Sequence, residues 1–244
     1  MKFILFCLFL PFFAWAKDTT ALVEYVLDGD TFVTARGDTV RLLGINTPEP
    51  GTSRRPAEPW GLQASDFTKK LLENQKINIT TQAKDRDRYG RVLANVFLSD
   101  GTWVNEHLLR EGVAHVYTFP DSSYDIKALF AAENAAREAK KGIWALPRWS
   151  IKNAVTCCKK EEIGEFQVVE GAIKQVVTVK NRTYLNFGTD WRTDFTVEIE
   201  RKNWSKFSDL KQKRGKKVRI RGYIKPINGA LVTVTHPEQI ETLE

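Results

Sequence analysis

"ALVEYVLDGDTFVTARGDTVRLLGI", residues 21 to 45, decides the fold. It contains three short runs rich in β-branched and aromatic residues: "ALVEYVL" (21–27), "TFVTA" (31–35) and "TVRLLGI" (39–45). Asp28-Gly29 and Arg36-Gly37-Asp38 separate them. Such runs suit a pleated, half-buried surface, and the glycine turns supply the backbone freedom that tight hairpins need. Three consecutive strands are predicted.

A loop with Pro48, Pro50, Pro56 and Pro59 follows, then a helical pattern, "WGLQASDFTKKLLENQ" (60–75), with Ala64, Phe67 and Leu71 on one face. "KINITT" (76–81) and "RVLANVFL" (91–98) again read as strands. "TWVNEHLLREG" (102–112) and "SSYDIKALFAAENAAREAKKG" (122–142) read as helices, the second opened by serine caps and stopped by Gly142. Five short strands with a helix between the third and fourth match an oligonucleotide/oligosaccharide-binding (OB) barrel. The expected class is α+β, mainly β: a five-stranded OB-fold barrel with three helices.

Residues 145 to about 162 show no periodicity and read as a linker. Beyond them strands are expected near 166–179, 183–187, 193–200, 217–225 and 230–235, with a short helix over 203–210. This pattern suggests a second, smaller OB-like β-barrel. The expected organisation is a signal peptide over 1–16, a barrel domain over 17–146, a linker over 147–162 and an OB-like domain over 163–244.

The signal reading rests on Met1-Lys2, an apolar run from Phe3 to Phe13 and the small residues of Ala14-Trp15-Ala16. The run is too short for a stable membrane anchor and is followed at once by Lys17 and Asp18. An exported protein, periplasmic or secreted, is expected. The chain carries 37 Lys and Arg against 30 Asp and Glu, a formal +7, which favours polyanions or serves solubility alone. Beyond Cys7 the only cysteines are the adjacent Cys157 and Cys158, which cannot form a disulfide framework between distant elements. A vicinal disulfide, an intermolecular bond and a plain pair of linker thiols all stay open. His107, His115 and His236 are scattered without partners at ligand spacing, so structural roles are expected for them.

Three islands hold the unusual polar residues: "DGDT" (28–31), "RLLGINTPE" (41–49) and "DRYGR" (87–91). Each alone is weak, since Asp28-Gly29-Asp30 is first a hairpin turn and Tyr89-Gly90-Arg91 could be only another. Together, in this order and on this strand pattern, they are specific. With "ASDFTKKLLEN" (64–74), "VNEHLLREGVA" (104–114) and Ile143-Trp144, residues 21 to 146 resemble the staphylococcal-type thermonucleases, secreted calcium-dependent nucleases built on an OB barrel.

The resemblance implies an exported, calcium-dependent phosphodiesterase acting on DNA and RNA and leaving 3′-phosphate ends. It implies that Asp30, Asn46 and the backbone carbonyl of Thr47 hold calcium. It implies that Arg41 and Arg91 hold the scissile phosphate and that Glu49 assists the attacking water. Arg88 and Tyr117 lie near positions where the family contacts nucleotide. Arg54 and Arg55, in the proline-rich loop, either meet the nucleic-acid backbone or are simply solvated. Family members often have aspartate where this chain has Asn46, and an amide keeps a ligating oxygen while losing a charge. Elementary chemistry agrees with these assignments. Phosphodiester hydrolysis needs charge neutralised on phosphorus oxygens, water activated and an in-line attack oriented. Guanidiniums present planar N–H forks to phosphate.

In the second half, "KQKRGKKVRIR" (211–221) is a dense basic run, and Tyr184, Phe187, Trp191 and Phe195 lie on neighbouring predicted strands. Such aromatics either stack on single-stranded nucleic acid or fill the core, and the core is favoured for Phe187 and Phe195. No protein partner is implied. The competing reading is a non-catalytic nucleic-acid-binding OB-fold protein, against which the retained arginines and acids argue.

Overall fold

β1 (Lys17–Val26), β2 (Thr31–Thr34) and β3 (Thr39–Leu42) form the expected consecutive antiparallel hairpins, with Val26 opposite Phe32 and Thr31 opposite Arg41. The structure is a computed structural model and describes residues 17–120 and 125–243. The expected signal segment and the serine caps Ser122 and Ser123 lie outside the described residues.

The third predicted run splits. Gly44 has φ +77°, a conformation that suits glycine, and turns the chain out of the barrel after Leu42. The two-residue β4 (Ile45–Asn46) therefore stands apart from β3. Helix α1 (Gly61–Leu72) follows, burying Gly61, Ala64, Thr68 and Leu72, while Phe67 and Leu71 pack at the rim of that stripe. β5 (Lys76–Arg86) runs five residues beyond the predicted strand and pairs antiparallel with both β1 and β6 (Val92–Leu98). β6 lies parallel to β3, with Leu93 opposite Arg41, and this pairing closes a five-stranded barrel in the order β1-β2-β3-β6-β5. Val23, Phe32, Val40, Leu42, Ile77 and Val96 fill it.

Helix α2 (Val104–Arg110) covers one end. Its buried Asn105 accepts from Val96 N–H and donates to the carbonyls of Leu43 and Ala94, which ties the helix to the barrel. β7 (His115–Val116) then pairs antiparallel with β4. Helix α3 (Ile126–Glu138) is capped by Asp125, whose side chain accepts from Ala128 N–H, so among the described residues the cap is an aspartate.

The stretch read as a linker is partly built into structure. Residues 142–145 and 147–149 form 3₁₀ turns, Trp149 is buried, and β8 (Lys152–Asn153) pairs with β9 (Phe166–Ala172). β10 (Gln175–Val179), β11 (Arg182–Asn186) and β12 (Phe195–Glu200) follow. The helix expected over 203–210 is absent as an α-helix. Residues 201–206 and 210–213 form 3₁₀ turns instead, separated by Asp209 in the left-handed region. β13 (Lys217–Tyr223), β14 (Ala230–Thr233) and β15 (Ile240–Thr242) complete the chain. The strands make two four-stranded sheets, β10-β11-β12-β14 and β15-β13-β9-β8, over one apolar core containing Val169, Phe187, Phe195, Val197 and Ile220. Cys157 and Cys158 are joined as a vicinal disulfide.

One buried ion pair joins this C-terminal part to the first barrel. Arg221 of β13 donates to both carboxylate oxygens of Glu133 on α3, at 3.0 and 2.6 Å. Arg221 is held above the ordinary arginine range, and Glu133 below that of glutamate, because their attraction outweighs the cost of burial. His236 Nε2 lies 2.7 Å from Thr118 Oγ1, and His115 stacks on Phe166 at 4.6 Å. Both buried histidines thus serve the junction, in keeping with the structural roles expected of them.

Candidate active site

The hairpin register places Asp30 and Arg41 side by side at one end of the barrel. Thr31, adjacent to Asp30, is the register partner of Arg41. Arg41 Nε lies 2.9 Å from Asp30 Oδ1, and both residues are buried. The rest of the guanidinium is aimed by the turn after β3. One terminal nitrogen donates to the carbonyls of Leu42 and Ile45, and the other donates to Asn46 Oδ1 at 2.9 Å. Four of the five N–H groups are therefore committed within the protein. Asp30 also accepts from Thr31 Oγ1 at 3.0 Å and from Thr47 N–H at 2.9 Å.

Glu49 sits just past this cluster. The loop that carries it is closed by reciprocal bonds: Glu49 N–H donates to Glu58 Oε2, and Glu58 N–H donates to the Glu49 carbonyl, both at 2.9 Å. Gly61 lets α1 begin against that carbonyl, since a Cβ at Gly61 would collide with it. The carboxylate of Glu49 reaches solvent and makes no hydrogen bond or ion pair among the described residues. Partial burial, then the charges of Asp30 and Glu58, hold it above the ordinary glutamate range. Asp28 is pushed up to about 6, by burial first and then by Asp30.

Arg91 lies two residues before Leu93, the register partner of Arg41. Arg91 itself precedes β6, in the turn closed by Asp87 N–H on its carbonyl. Arg91 Nε donates to Asp87 Oδ2 at 2.8 Å, and the other oxygen of Asp87 accepts from the backbone N–H groups of Tyr89 and Arg91. These bonds hold Asp87 below the ordinary aspartate range, although its slight burial opposes them. Arg88 is exposed, 4.8 Å over the Tyr89 ring, and Arg91 lies 5.6 Å from the same ring. The "DRYGR" island is thus an arginine–tyrosine–arginine cluster around one turn.

Asp30, Asn46 and Thr47 come together as one hydrogen-bonded unit. Thr47 N–H bonds Asp30, and Asn46 Nδ2 donates to the Thr47 carbonyl at 3.0 Å. Their donors are all oxygen, and the carboxyls of Asp28 and Glu49 are both raised, by burial first and then by the negative charge of Asp30. A hard divalent cation takes such oxygen donors, and it would displace the hydrogen bonds that Arg41 and Asn46 Nδ2 make to them here. No cluster of three or more His, Cys, Asp or Glu that could hold a metal occurs among the described residues, so the amide and the backbone carbonyl would have to complete the set.

Arg54 and Arg55 are exposed at the tip of the proline-rich loop, where Arg55 lies 3.5 Å from Glu58. Neither is brought into the Asp30–Arg41 cluster. Tyr117 follows β7 directly, and its N–H donates to the Gly44 carbonyl, so it stands beside the turn that aims Arg41. Glu58 and Tyr223 were not anticipated. Glu58 offers no signal beyond its place in a polar loop, and Tyr223 reaches this region only through the packing of the C-terminal part.

With this geometry in view, comparison with known proteins is decisive. A family profile described as Staphylococcal nuclease homologue matches residues 39–146. The chain is 37% identical over 134 residues to a thermonuclease of Staphylococcus hyicus, covering 53% of this chain and 78% of that relative. It is 38% identical over 129 residues to a thermonuclease of Staphylococcus intermedius, covering 50% and 74% respectively. It is also 33% identical over 149 residues to Endonuclease YncB of Bacillus subtilis (strain 168), covering 59% and 70%. Barrel and relatives agree, and the chain belongs to the staphylococcal-type thermonuclease family.

Proposed function

We propose that this nuclease is an exported, calcium-dependent phosphodiesterase that cleaves DNA and RNA and leaves 3′-phosphate ends. One observation carries the chemistry: the charge of the buried Arg41 guanidinium, fixed by Asp30, reaches Glu49, whose carboxylate makes no hydrogen bond or ion pair among the described residues. In hydrolysis a water oxygen bonds to phosphorus, the bond to the 5′ oxygen breaks, and that oxygen takes up a proton. Glu49 accepts the proton that the attacking water loses. Arg41 and Arg91 offset the charge that grows on the non-bridging oxygens. Asp30, Asn46 and the Thr47 carbonyl would hold calcium, which when bound supplies Lewis-acid polarisation.

Arg88 and Tyr117, with Arg54 and Arg55 further out, are proposed to contact the strand beyond the scissile bond. The domain division is proposed as 17–146 for the nuclease and 163–244 for a nucleic-acid-binding part. Within its basic run over 211–221, Lys217, Arg219 and Arg221 are taken up by Glu170, Glu241 and Glu133, so the charge that this run offers is that of the exposed Lys211, Arg214 and Lys216. Export is supported by the sequence of residues 1–16.

The test is incubation of the purified protein with plasmid DNA and with RNA, in calcium or in chelator, followed by end-group analysis. Cleavage in calcium with 3′-phosphate ends is expected. Binding without cleavage would instead favour the non-catalytic reading.

A further inference from the structure

A cleft of about 370 Å³ opens where the two parts of the chain meet, and Tyr117, Phe166, Tyr223 and Lys225 are among the residues that line it. The backbone ties it to the reaction centre. Ile45 and Asn46 pair with Val116 and His115, and Tyr117 N–H bonds the Gly44 carbonyl at 2.9 Å, so Tyr117 leaves the same ladder that carries Asn46. From the other side β13 ends at Tyr223, whose register partner in β9 is Phe166.

The rings form a compact group. Phe166 lies 5.4 Å from Tyr117 and 5.6 Å from Tyr223, and the two tyrosines are 6.5 Å apart. Phe166 is held in place by the buried His115 stacked on it. Tyr223, by contrast, remains 52% exposed, so this group presents an open aromatic surface to the cleft. Burial of part of its ring, then the neighbouring Tyr117 and the charges of Glu58 and Glu49, raise the Tyr223 phenol to about 12. Its hydroxyl therefore stays neutral and feels the same carboxylate as the proposed reaction centre. Lys225 is exposed at the cleft wall, with its ammonium 2.8 Å from Thr233 Oγ1 and further N–H groups available.

An open aromatic surface beside a cation, linked through the β4–β7 ladder to the proposed reaction centre, matches a strand that offers a flat base and a charged phosphate in succession. A base inside a duplex is already stacked on both faces and cannot use such a surface. We propose that Tyr223, with Tyr117 edge-on beside it at 74°, stacks an unpaired nucleobase of the strand being cut, and that Lys225 holds a phosphate of that strand. The C-terminal part thereby builds a subsite of the nuclease for single strands. This rests on the nuclease reading above.

The experiment is a binding titration in calcium with a labelled single-stranded oligonucleotide and with a duplex of the same sequence. It uses the full-length protein carrying Glu49→Gln so that the strand survives. Tyr223→Ala, Tyr223→Phe and Tyr223→Leu are compared in that background, with thermal unfolding as the check on folding. Tyr223→Ala is expected to weaken single-strand binding by roughly 5- to 150-fold, the range for losing one stacked base. Tyr223→Phe should keep the affinity, Tyr223→Leu should lose it while preserving packing, and duplex binding should be unchanged. Unchanged single-strand affinity in Tyr223→Ala, equal weakening for duplex, or full affinity in Tyr223→Leu would each overturn the subsite while leaving the nuclease reading intact. A parent protein that binds neither strand would overturn the nuclease reading itself, and the subsite with it.

Discussion

Arg41 Nε stands 2.9 Å from Asp30 Oδ1, with both side chains below a tenth exposed. This pair unites the two roles proposed for the site, since one member would meet phosphate and the other would meet the cation. It also makes Arg41 a structural residue. The guanidinium ties the turn after β3 to β2, and only one of its N–H groups is left uncommitted. A second becomes available to phosphate only if Asn46 releases it.

The two arginines should therefore respond differently to substitution. Arg41→Lys keeps the charge but cannot reach Asp30, Leu42, Ile45 and Asn46 together, so it should lower both turnover and stability. Breaking a buried pair of this kind costs about 3–5 kcal/mol. Arg91, half-buried and paired with Asp87 at the surface of the turn, should tolerate lysine without a fall in melting temperature. Its turnover should drop on the order of 10²–10³, the scale for losing a preorganised donor. Cleavage rates and thermal melts of both variants check this, and Arg91→Lys is the cleaner probe of phosphate recognition.

Asn46 joins Arg41 to the Thr47 carbonyl through one amide. An aspartate there would add charge to the proposed cation site, and attraction to a dication rises with ligand charge. Asn46→Asp should bind calcium more tightly without substrate, with turnover at saturating calcium changed far less than in the arginine variants. The check is a calcium titration, by calorimetry without substrate and by cleavage rate with it. Equal calcium affinity in the two proteins would leave Asn46 only its part in orienting Arg41.

Glu133 and Arg221 hold the two parts of the chain together, and Glu133 also accepts from Val116 N–H at 2.7 Å, next to Tyr117. Arg221→Met leaves the buried Glu133 with Arg137 as its only cationic partner among the described residues, at 3.3 Å, and should destabilise by up to about 3–5 kcal/mol. The double change Arg221→Met with Glu133→Leu should recover part of that loss, since it also leaves Val116 N–H and Arg137 without Glu133. Denaturant unfolding of the single and double variants reads this out. The same pair means that deleting residues 163–244 would damage the nuclease barrel as well as remove the C-terminal part.

His115 adds a pH dependence to the same junction. Burial lowers its pKa from 6.5 to about 4. The unfolded chain therefore binds a proton near pH 6.5 that the folded protein refuses until about pH 4. His115 contributes stability that is fully present above pH 6.5 and is lost as the pH falls from there towards 4, by roughly 3 kcal/mol across the window. Melting temperatures between pH 7.5 and 4.5 should fall accordingly, and His115→Phe should flatten that part of the profile.

Much of the first barrel is legible in the sequence because its signals are local. Alternating β-branched residues and Asp-Gly turns specify hairpins whose register then forces Asp30 beside Arg41. The separation of β4 from β3 depends on one residue, Gly44, inside an apolar run that otherwise reads as continuous strand. The helix expected over 203–210 fails because its short polar pattern lacks a wide apolar face, and the chain settles into 3₁₀ turns. The basic run over 211–221 reads as one charged surface. Strand alternation instead turns Arg219 and Arg221 inward to Glu133, Glu170 and Glu241. Tyr223 is illegible because its nearness to Tyr117 is created across 106 residues by tertiary packing alone.

The central claim is that Glu49 takes the proton of the attacking water beside Arg41. Single-turnover cleavage of a labelled single-stranded oligonucleotide in saturating calcium, comparing wild type with Glu49→Gln, tests it most directly. The amide keeps the size and hydrogen-bonding reach of the side chain but cannot accept that proton. The account predicts a rate lower by about 10²–10⁴, the usual contribution of a general base, with oligonucleotide affinity retained. A Glu49→Gln protein that cleaves at the wild-type rate would contradict it.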